Sequence, residues 1–464
     1  MPSLFRREPG FYKRLWKLAL PLILQNLITT SLGFVDTFMV GLLGNQELSA
    51  VTAANTPIFL IQVIVFGLMS GLTVLVSQYW GRGDTESINR CMGVALYAGV
   101  SVAGVMAAVL FCRPEAVLGV VTDNALLIRT GAPYLRIVGI SYVFNAVSSV
   151  YVGMQRSTEN SRFGMLVFGA SMLLNTFLNY CLIFGRFGAP ALGVTGAAIA
   201  TLASRTAEFA IVAVYALGNR RVPLMPRALL RPGAAIARSA LRYSGPVILN
   251  ETLWGLGTSV MTSIMGHMAI SGDMLAAHAI MGNIDKFSTV TCFGLAGATA
   301  VVVGKRIGEG ASKQEVYELG CCLLGMSLAV GVVIALCLAA LLPLVFIPYL
   351  YPLFHLTAQA TRIAVTMCVV YLLVMPMRAF DITNITGLLR AGGDARMAAV
   401  LDLCPLWLFA IPVTALAALV LDAPLALVCL GTQCENFVKT PLGFLRLRSR
   451  KWINDVTIQG GEPS

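Results

Sequence analysis

The sequence predicts an all-α integral membrane protein with twelve transmembrane helices, arranged as two six-helix lobes related by a parallel pseudo-two-fold repeat. Three observations lead there. First, 57% of the 464 residues are hydrophobic and only 12% are charged, against roughly 45–50% and about 25% in a soluble domain. Second, apolar stretches recur at the roughly 20-residue length that crosses a bilayer core of about 30 Å. Third, the second half of the chain repeats the first at offsets of roughly 225 to 234 residues.

The first apolar run, from about Trp16 to Leu43, carries Pro21 and Asp36 and is followed by no small-residue cleavage site. It reads as the first transmembrane helix, not as a signal peptide. The spans of the first half fall near 17–43, 48–78, 91–111, 125–152, 163–184 and 192–217. Those of the second half fall near 241–266, 274–303, 316–346, 360–389, 397–420 and 422–445. Helices are the element expected, because every backbone polar group in the hydrocarbon must be satisfied inside its own segment.

The basic residues orient these spans. One set of loops holds Lys13, Arg14 and Lys17; Arg82 and Arg90; Arg156 and Arg162; and the linker arginines from Arg220 to Arg242. The same set continues with Lys305, Arg306 and Lys313, then Arg390 and Arg396, then Lys439, Arg446, Arg448, Arg450 and Lys451. The alternate loops hold only Arg113, Arg186 and Arg362, with Arg129 near a helix start. Both termini and the central linker are therefore expected in the cytoplasm of a multi-pass protein of the inner or plasma membrane. The net charge of +11 is spread over short loops and not along a polar face, which argues against a nucleic-acid partner. The lipid bilayer is the expected surrounding, and the chain is expected to act as a monomer. Eleven cysteines without a C-x-x-C, several inside apolar spans (Cys181, Cys292, Cys337, Cys368, Cys404), read as buried structural thiols and suggest neither a zinc site nor a disulfide framework.

The repeat is visible in three places. Leu20 to Asn26 (LPLILQN) corresponds to Gly245 to Glu251 (GPVILNE), and Leu72 to Gly83 (LTVLVSQYWGRG) to Thr299 to Gly310 (TAVVVGKRIGEG). Gly153 to Arg156 (GMQR) corresponds to Gly387 to Arg390 (GLLR). Each half holds six spans, an even number, so both copies face the same way. The expected organisation is an N-terminal lobe over 1–217, an Arg/Pro-rich cytoplasmic linker over 218–240, a C-terminal lobe over 241–445 and a cytoplasmic tail over 446–464.

These segments resemble the multidrug and toxic compound extrusion (MATE) family along about residues 10–450. The resemblance is carried by Leu18 to Gly41 (LALPLILQNLITTSLGFVDTFMVG), Gly67 to Gly83 (GLMSGLTVLVSQYWGRG), Val303 to Gly308 (VGKRIG) and Gly387 to Asp394 (GLLRAGGD). It implies a secondary transporter that exports amphipathic, often cationic drugs or metabolites in exchange for Na⁺ or H⁺ by alternating access. A lipid-linked precursor flippase of the wider superfamily is the alternative. No enzyme is expected, since there is no H-E-x-x-H and no extramembrane loop large enough for a catalytic domain. No cofactor is expected, and Na⁺ enters only as a candidate coupling ion.

A charge in mid-bilayer costs about 2.5–3.5 kcal/mol even on lenient insertion scales, so each one must face protein or water. Asp36 lies 15 residues after Pro21, well inside the first span, with no basic residue near it in sequence. A carboxylate so placed can be neutralised by a proton or a cation. Asp36 also matches the family's acidic residue on the first helix. The resemblance then implies that Asn175, Asn179 and Thr201 converge on it, with Asn179 standing where the family often has Asp. In the second half Glu251, Trp254 and Asp381 are the candidates for coupling or substrate binding. Glu251 and Trp254 share a helix face, suited to an organic cation through charge and cation–π attraction. Arg378 lies three residues before Asp381 and is its expected local partner. Arg205 and Glu208 are expected to pair, and Asp285 needs a partner that the sequence does not name.

Overall fold

The computed structural model describes residues 10–268, 270–354, 356–421 and 423–458. The ends of the expected lobe and tail, 1–9 and 459–464, lie outside the described residues. The elements are α1 (Phe11–Gly41), α2 (Asn45–Arg82), α3 (Thr85–Cys112), α4 (Pro114–Val121), α5 (Ala125–Ser157), α6 (Ser161–Phe184), α7 (Gly193–Gly218) and α8 (Pro226–Leu230). They continue with α9 (Ala234–Gly266), α10 (Ser271–Gly308), α11 (Lys313–Leu353), α12 (Ala358–Leu389), α13 (Ala395–Val420), α14 (Leu425–Gln433) and α15 (Glu435–Ser449). No strand occurs among the described residues.

Ten of these helices are long and apolar enough to cross a membrane on their own. The two other predicted spans, 241–266 and 422–445, fall on α9 and on α14 with α15. α9 carries Arg238, Arg242, Asn250 and Glu251, and α14 is separated from α15 by a turn at Cys434.

Polar side chains set the helix starts. Asp84 accepts from the Ser87 amide, Asn124 from those of Leu126 and Leu127, Ser312 from that of Glu315 and Thr357 from that of Ala360. Each satisfies an amide that the helix itself leaves unbonded. Four π-helical stretches interrupt the second half, at Leu342–Leu350, Thr383–Leu389, Leu406–Ala410 and Leu416–Val420. Proline borders or lies within two of them, at Pro343 and Pro348 and at Pro405, where a missing N–H displaces the normal bonding register.

The chain divides into two compact units. One is Leu20–Ile248; the other joins the residues up to Ala19 with those from Leu249 onward. The division falls inside α1 and α9, close to Pro21 and Pro246, and not within the expected linker. In the contiguous unit α5 packs against α2, α3 and α7, over a core in which Ile58, Ile61, Leu110, Leu118 and Leu135 are fully buried. Glycines permit the tightest approaches. A Cβ at Gly71 would stand 2.4 Å from the Ser244 Cα, and one at Gly196 2.5 Å from the Leu182 carbonyl oxygen. Gly193 starts α7 at φ +55°.

The second unit buries Met265, Met274, Tyr351, Cys368 and Met375 where α9, α10, α11 and α12 meet. Cys181, Cys292 and Cys368 are buried as expected, but Cys337 and Cys404 are exposed on the outer surfaces of their helices, and all eleven thiols are free.

The expected tail is largely packed. α15 extends to Ser449, and beyond it Trp452 has no exposed surface. Its indole Nε1–H donates to the Leu447 carbonyl at 3.1 Å, and the Asn454 amide donates to the Gly392 carbonyl at 2.9 Å. A Cβ at Gly392 would stand 2.3 Å from the Trp452 carbonyl oxygen and 2.4 Å from its ring. Gly392→Ala is therefore expected to expel this segment at a cost of about 1–3 kcal/mol, the usual penalty of overpacking. Thermal unfolding of the purified variant measures it as a lowered Tm.

Candidate functional site: two buried polar clusters

Each unit carries its own intramembrane polar cluster. In the contiguous unit, α1 presents Asp36 toward α6. Asn175 and Asn179 stand four residues apart, one turn of α6, so they project from the same face. Asn179 Nδ2 donates to Asp36 Oδ1 at 2.5 Å and to Asn175 Oδ1 at 3.0 Å. Asn175 Nδ2 continues the chain to Ser204 Oγ on α7 at 3.4 Å. Both asparagines are buried at 1% exposure. The predicted meeting of Asp36, Asn175 and Asn179 is thus present in the structure.

Thr201 does not join them. Its hydroxyl donates to the Ala197 carbonyl at 3.0 Å, the ordinary back-bond of a helical threonine, and Ser204 is the α7 side chain that reaches Asn175. Arg205 and Glu208 pair at 2.7 Å as expected. Arg205 also lies within electrostatic range of Asp36, as do Tyr134 and Tyr142 of α5. These tyrosines meet Asn55 and Gln62 of α2, at 3.5 and 2.9 Å. Sequence reasoning missed this second layer, since nothing local ties α5 to α1.

The second unit is richer in charge. Glu251 on α9 accepts from Arg390 at 2.8 Å, and Trp254, one turn further, is 42% exposed. Arg378 does not pair with Asp381. It bonds Asp285 on α10 at 2.8 Å and Gln433 on α14 at 3.0 Å, and Tyr371 also donates to Asp285. That supplies the partner which the sequence left unnamed. Three residues apart on α12, Arg378 and Asp381 instead serve different neighbours. Asp381 accepts from Thr440 at 2.7 Å and keeps its other oxygen without a hydrogen-bond partner. Asp402 on α13 accepts from Lys439 and Asn250, each at 2.9 Å.

Two cations expected among the cytoplasmic loops are interior: Arg390 is 3% and Lys439 5% exposed. The signal for Lys439 was present, since it lies inside the 422–445 span and four residues after Glu435, the spacing at which opposite charges meet on a helix. Arg390 carried no local signal.

The two clusters differ in chemistry. Glu251, Asp285 and Asp402 each meet an arginine or lysine. Asp36 takes its hydrogen bond from a neutral amide and Asp381 from a neutral hydroxyl, and neither makes an ion pair among the described residues. Asn179 turns its N–H groups toward Asp36 and Asn175, and the Asn175 oxygen is already occupied by Asn179. The Asn179 oxygen is buried without a hydrogen-bond partner.

Comparison with known proteins follows this geometry. The MatE family model matches residues 21–181 and 246–416. The chain is 26% identical over 309 residues to the Thermotoga maritima protein named "Probable multidrug resistance protein NorM", covering 66% of each chain. It is 25% identical over 419 residues to the multidrug resistance protein PmpM of Pseudomonas aeruginosa, covering 86% of this chain and 83% of that one. Among solved structures, a MATE family multidrug resistance transporter of the MOP superfamily, in an outward-facing conformation, superposes with a TM-score of 0.85 at 19% identity over 97% of both chains.

Proposed function

The chain belongs to the MatE family of membrane transporters, and from that premise we propose that it exports an amphipathic organic cation in exchange for protons, with Asp36 as the group that carries them. The observation that supports this reading is the bonding of Asp36: a buried asparagine donates to it, and no cation among the described residues pairs with it. A carboxylate in that setting is neutral with a proton and charged without one, and no ion pair compensates the change. Protonation also converts the Asp36 oxygen from acceptor to donor. Asn179 must then turn its amide, and Asn175 and Ser204 follow along the same hydrogen-bonded chain. Binding of a proton on α1 is in this way transmitted to α6 and α7.

The export function itself rests on the family, and the organic cation on the exposed indole that Trp254 gives α9. A monomer in the cell membrane with cytoplasmic termini completes the reading. Its test is transport in liposomes. A fluorescent organic cation is expected to move against an imposed pH gradient, whereas a Na⁺ gradient at constant pH moves it no faster than leak. Transport driven by Na⁺ alone would overturn proton coupling and leave the exporter reading intact.

A further inference from the structure

At other helix ends the basic residues meet nearby acids: Arg90 pairs with Glu86 at 2.6 Å and Arg306 with Glu309 at 3.0 Å. The segment that joins α7 to α9 differs. From Phe209 to Asn250 the chain holds Arg220, Arg221, Arg227, Arg231, Arg238 and Arg242, and neither an acid nor a lysine. All of these arginines are exposed. Arg221 lies 3.7 Å from Glu159 and over the Trp80 ring. The others make no ion pair among the described residues. The bias of basic residues toward one side of a membrane does not demand this, since lysines, or arginines paired with acids, satisfy it equally.

Nor is the segment a loose tether. Asn89, Gly93 and Tyr97 stand four residues apart along one face of α3 and hold its backbone. Asn89, which has no exposed surface, donates to the Pro223 carbonyl and accepts from the Met225 amide, both at 3.1 Å. The Tyr97 hydroxyl donates to the Leu230 carbonyl at 3.1 Å. Between these bonds the chain lies so close that a Cβ at Gly93 would stand 2.2 Å from the Leu229 carbonyl oxygen. Val222, Ala228 and Ile236 turn inward and are buried, while the guanidinium groups turn out.

Exposed leucines accompany the arginines. Leu217, Leu230 and Leu241 are 83%, 62% and 71% exposed, beside Arg220, Arg231 and Arg242 in sequence. A soluble polyanion would use the charges and leave these leucines in water. A bilayer surface takes both, with phosphates for the guanidinium groups and acyl chains for the leucines.

We propose that the segment from Arg220 to Arg242 is a docking arm for anionic phospholipid: its arginines hold headgroup phosphates while Leu217, Leu230 and Leu241 enter the adjoining acyl layer. A guanidinium meets two phosphate oxygens at once, which an ammonium does not, and this accounts for the absence of lysine. Because Asn89 and Tyr97 fix the arm to α3, lipid bound to it stabilises the contiguous unit. The inference concerns lipid binding and not transport, so it stands or falls independently of the role assigned to Asp36.

The experiment follows thermal unfolding of the full chain in neutral detergent at low ionic strength, with phosphatidylglycerol or phosphatidylcholine added in equal amounts. Phosphatidylglycerol is expected to give a saturable rise in Tm of about 2–4 °C over phosphatidylcholine, and salt is expected to diminish it. Arg220→Gln/Arg227→Gln/Arg231→Gln/Arg238→Gln is expected to abolish the difference. Lys13→Gln/Arg14→Gln/Lys17→Gln/Lys313→Gln, which removes as many exposed charges elsewhere, is expected to keep it. Should the first variant fail to fold, Arg227→Gln/Arg231→Gln alone is expected to halve the rise. Equal Tm values in the two lipids overturn the proposal, as does an equal loss from the two sets of substitutions. An equal rise with heparin in place of lipid also overturns it, since the arm would then bind soluble polyanions.

Discussion

Asp36→Asn is expected to reduce gradient-driven efflux to the level of leak while the protein still inserts and unfolds cooperatively. The substitution keeps the size and planarity of the side chain but removes its exchangeable charge. The bond between positions 36 and 179 can survive with one amide turned, so packing between α1 and α6 should be kept. Only the alternation between donor and acceptor at position 36 is lost. In the proposed mechanism that alternation couples the proton to the hydrogen-bonded chain through Asn179, Asn175 and Ser204. Efflux of a fluorescent organic cation from liposomes, with and without an imposed pH gradient, gives the comparison directly. Wild-type rates from a folded Asp36→Asn protein would remove Asp36 from the coupling role.

Arg390→Met is expected to cause the largest loss of stability of any single change considered, about 3–5 kcal/mol, because it leaves the carboxylate of Glu251 without its countercharge in a mostly buried site. The side chains involved are 3% and 22% exposed, and their ion pair measures 2.8 Å. Arg390→Met/Glu251→Leu removes both charges and should recover much of the loss, since two apolar groups of similar volume owe no desolvation penalty. Unfolding midpoints of the two single variants and the double variant close the thermodynamic cycle. If the double variant is no more stable than the singles, the pair is not the source of the effect.

The helices were legible because a bilayer imposes one rule on every span: bury the backbone polar groups within the segment and keep the side chains apolar. The Asp36 cluster was legible in part for the same reason. A carboxylate inside an apolar run stands out, and two asparagines one turn apart mark a shared face. Thr201 misled because a hydroxyl in a helix has a ready acceptor in the preceding turn, here Ala197, and owes nothing to a distant acid. Arg390 and Lys439 misled for a different reason. Counting basic residues around span ends assigns each of them to water, yet a cation is stable inside if an acid waits for it. The acid lies 139 residues away for Arg390, a separation on which local pattern is silent, whereas Lys439 meets one acid 37 residues away, Asp402, and one only four away, Glu435. Arg378 shows the same limit, since its neighbour Asp381 was the obvious partner in sequence and Asp285, 93 residues off, is the one it meets.

The division of the chain has a consequence for how the protein is made. Residues 20–248 form one unit without interruption, so its contacts can close as synthesis proceeds. The first turns of α1 belong instead with residues from Leu249 onward, and Tyr12 meets Cys322 at a sequence separation of 310. These turns of α1 are therefore made before the residues they pack against, and closing so long a loop carries an entropic cost that only late contacts repay. Until then the inward faces of Phe11, Leu15 and Leu18, all nearly fully buried in the finished protein, stand uncovered. That interval is when the nascent chain is most exposed to misassembly and to proteolysis at its N-terminal end.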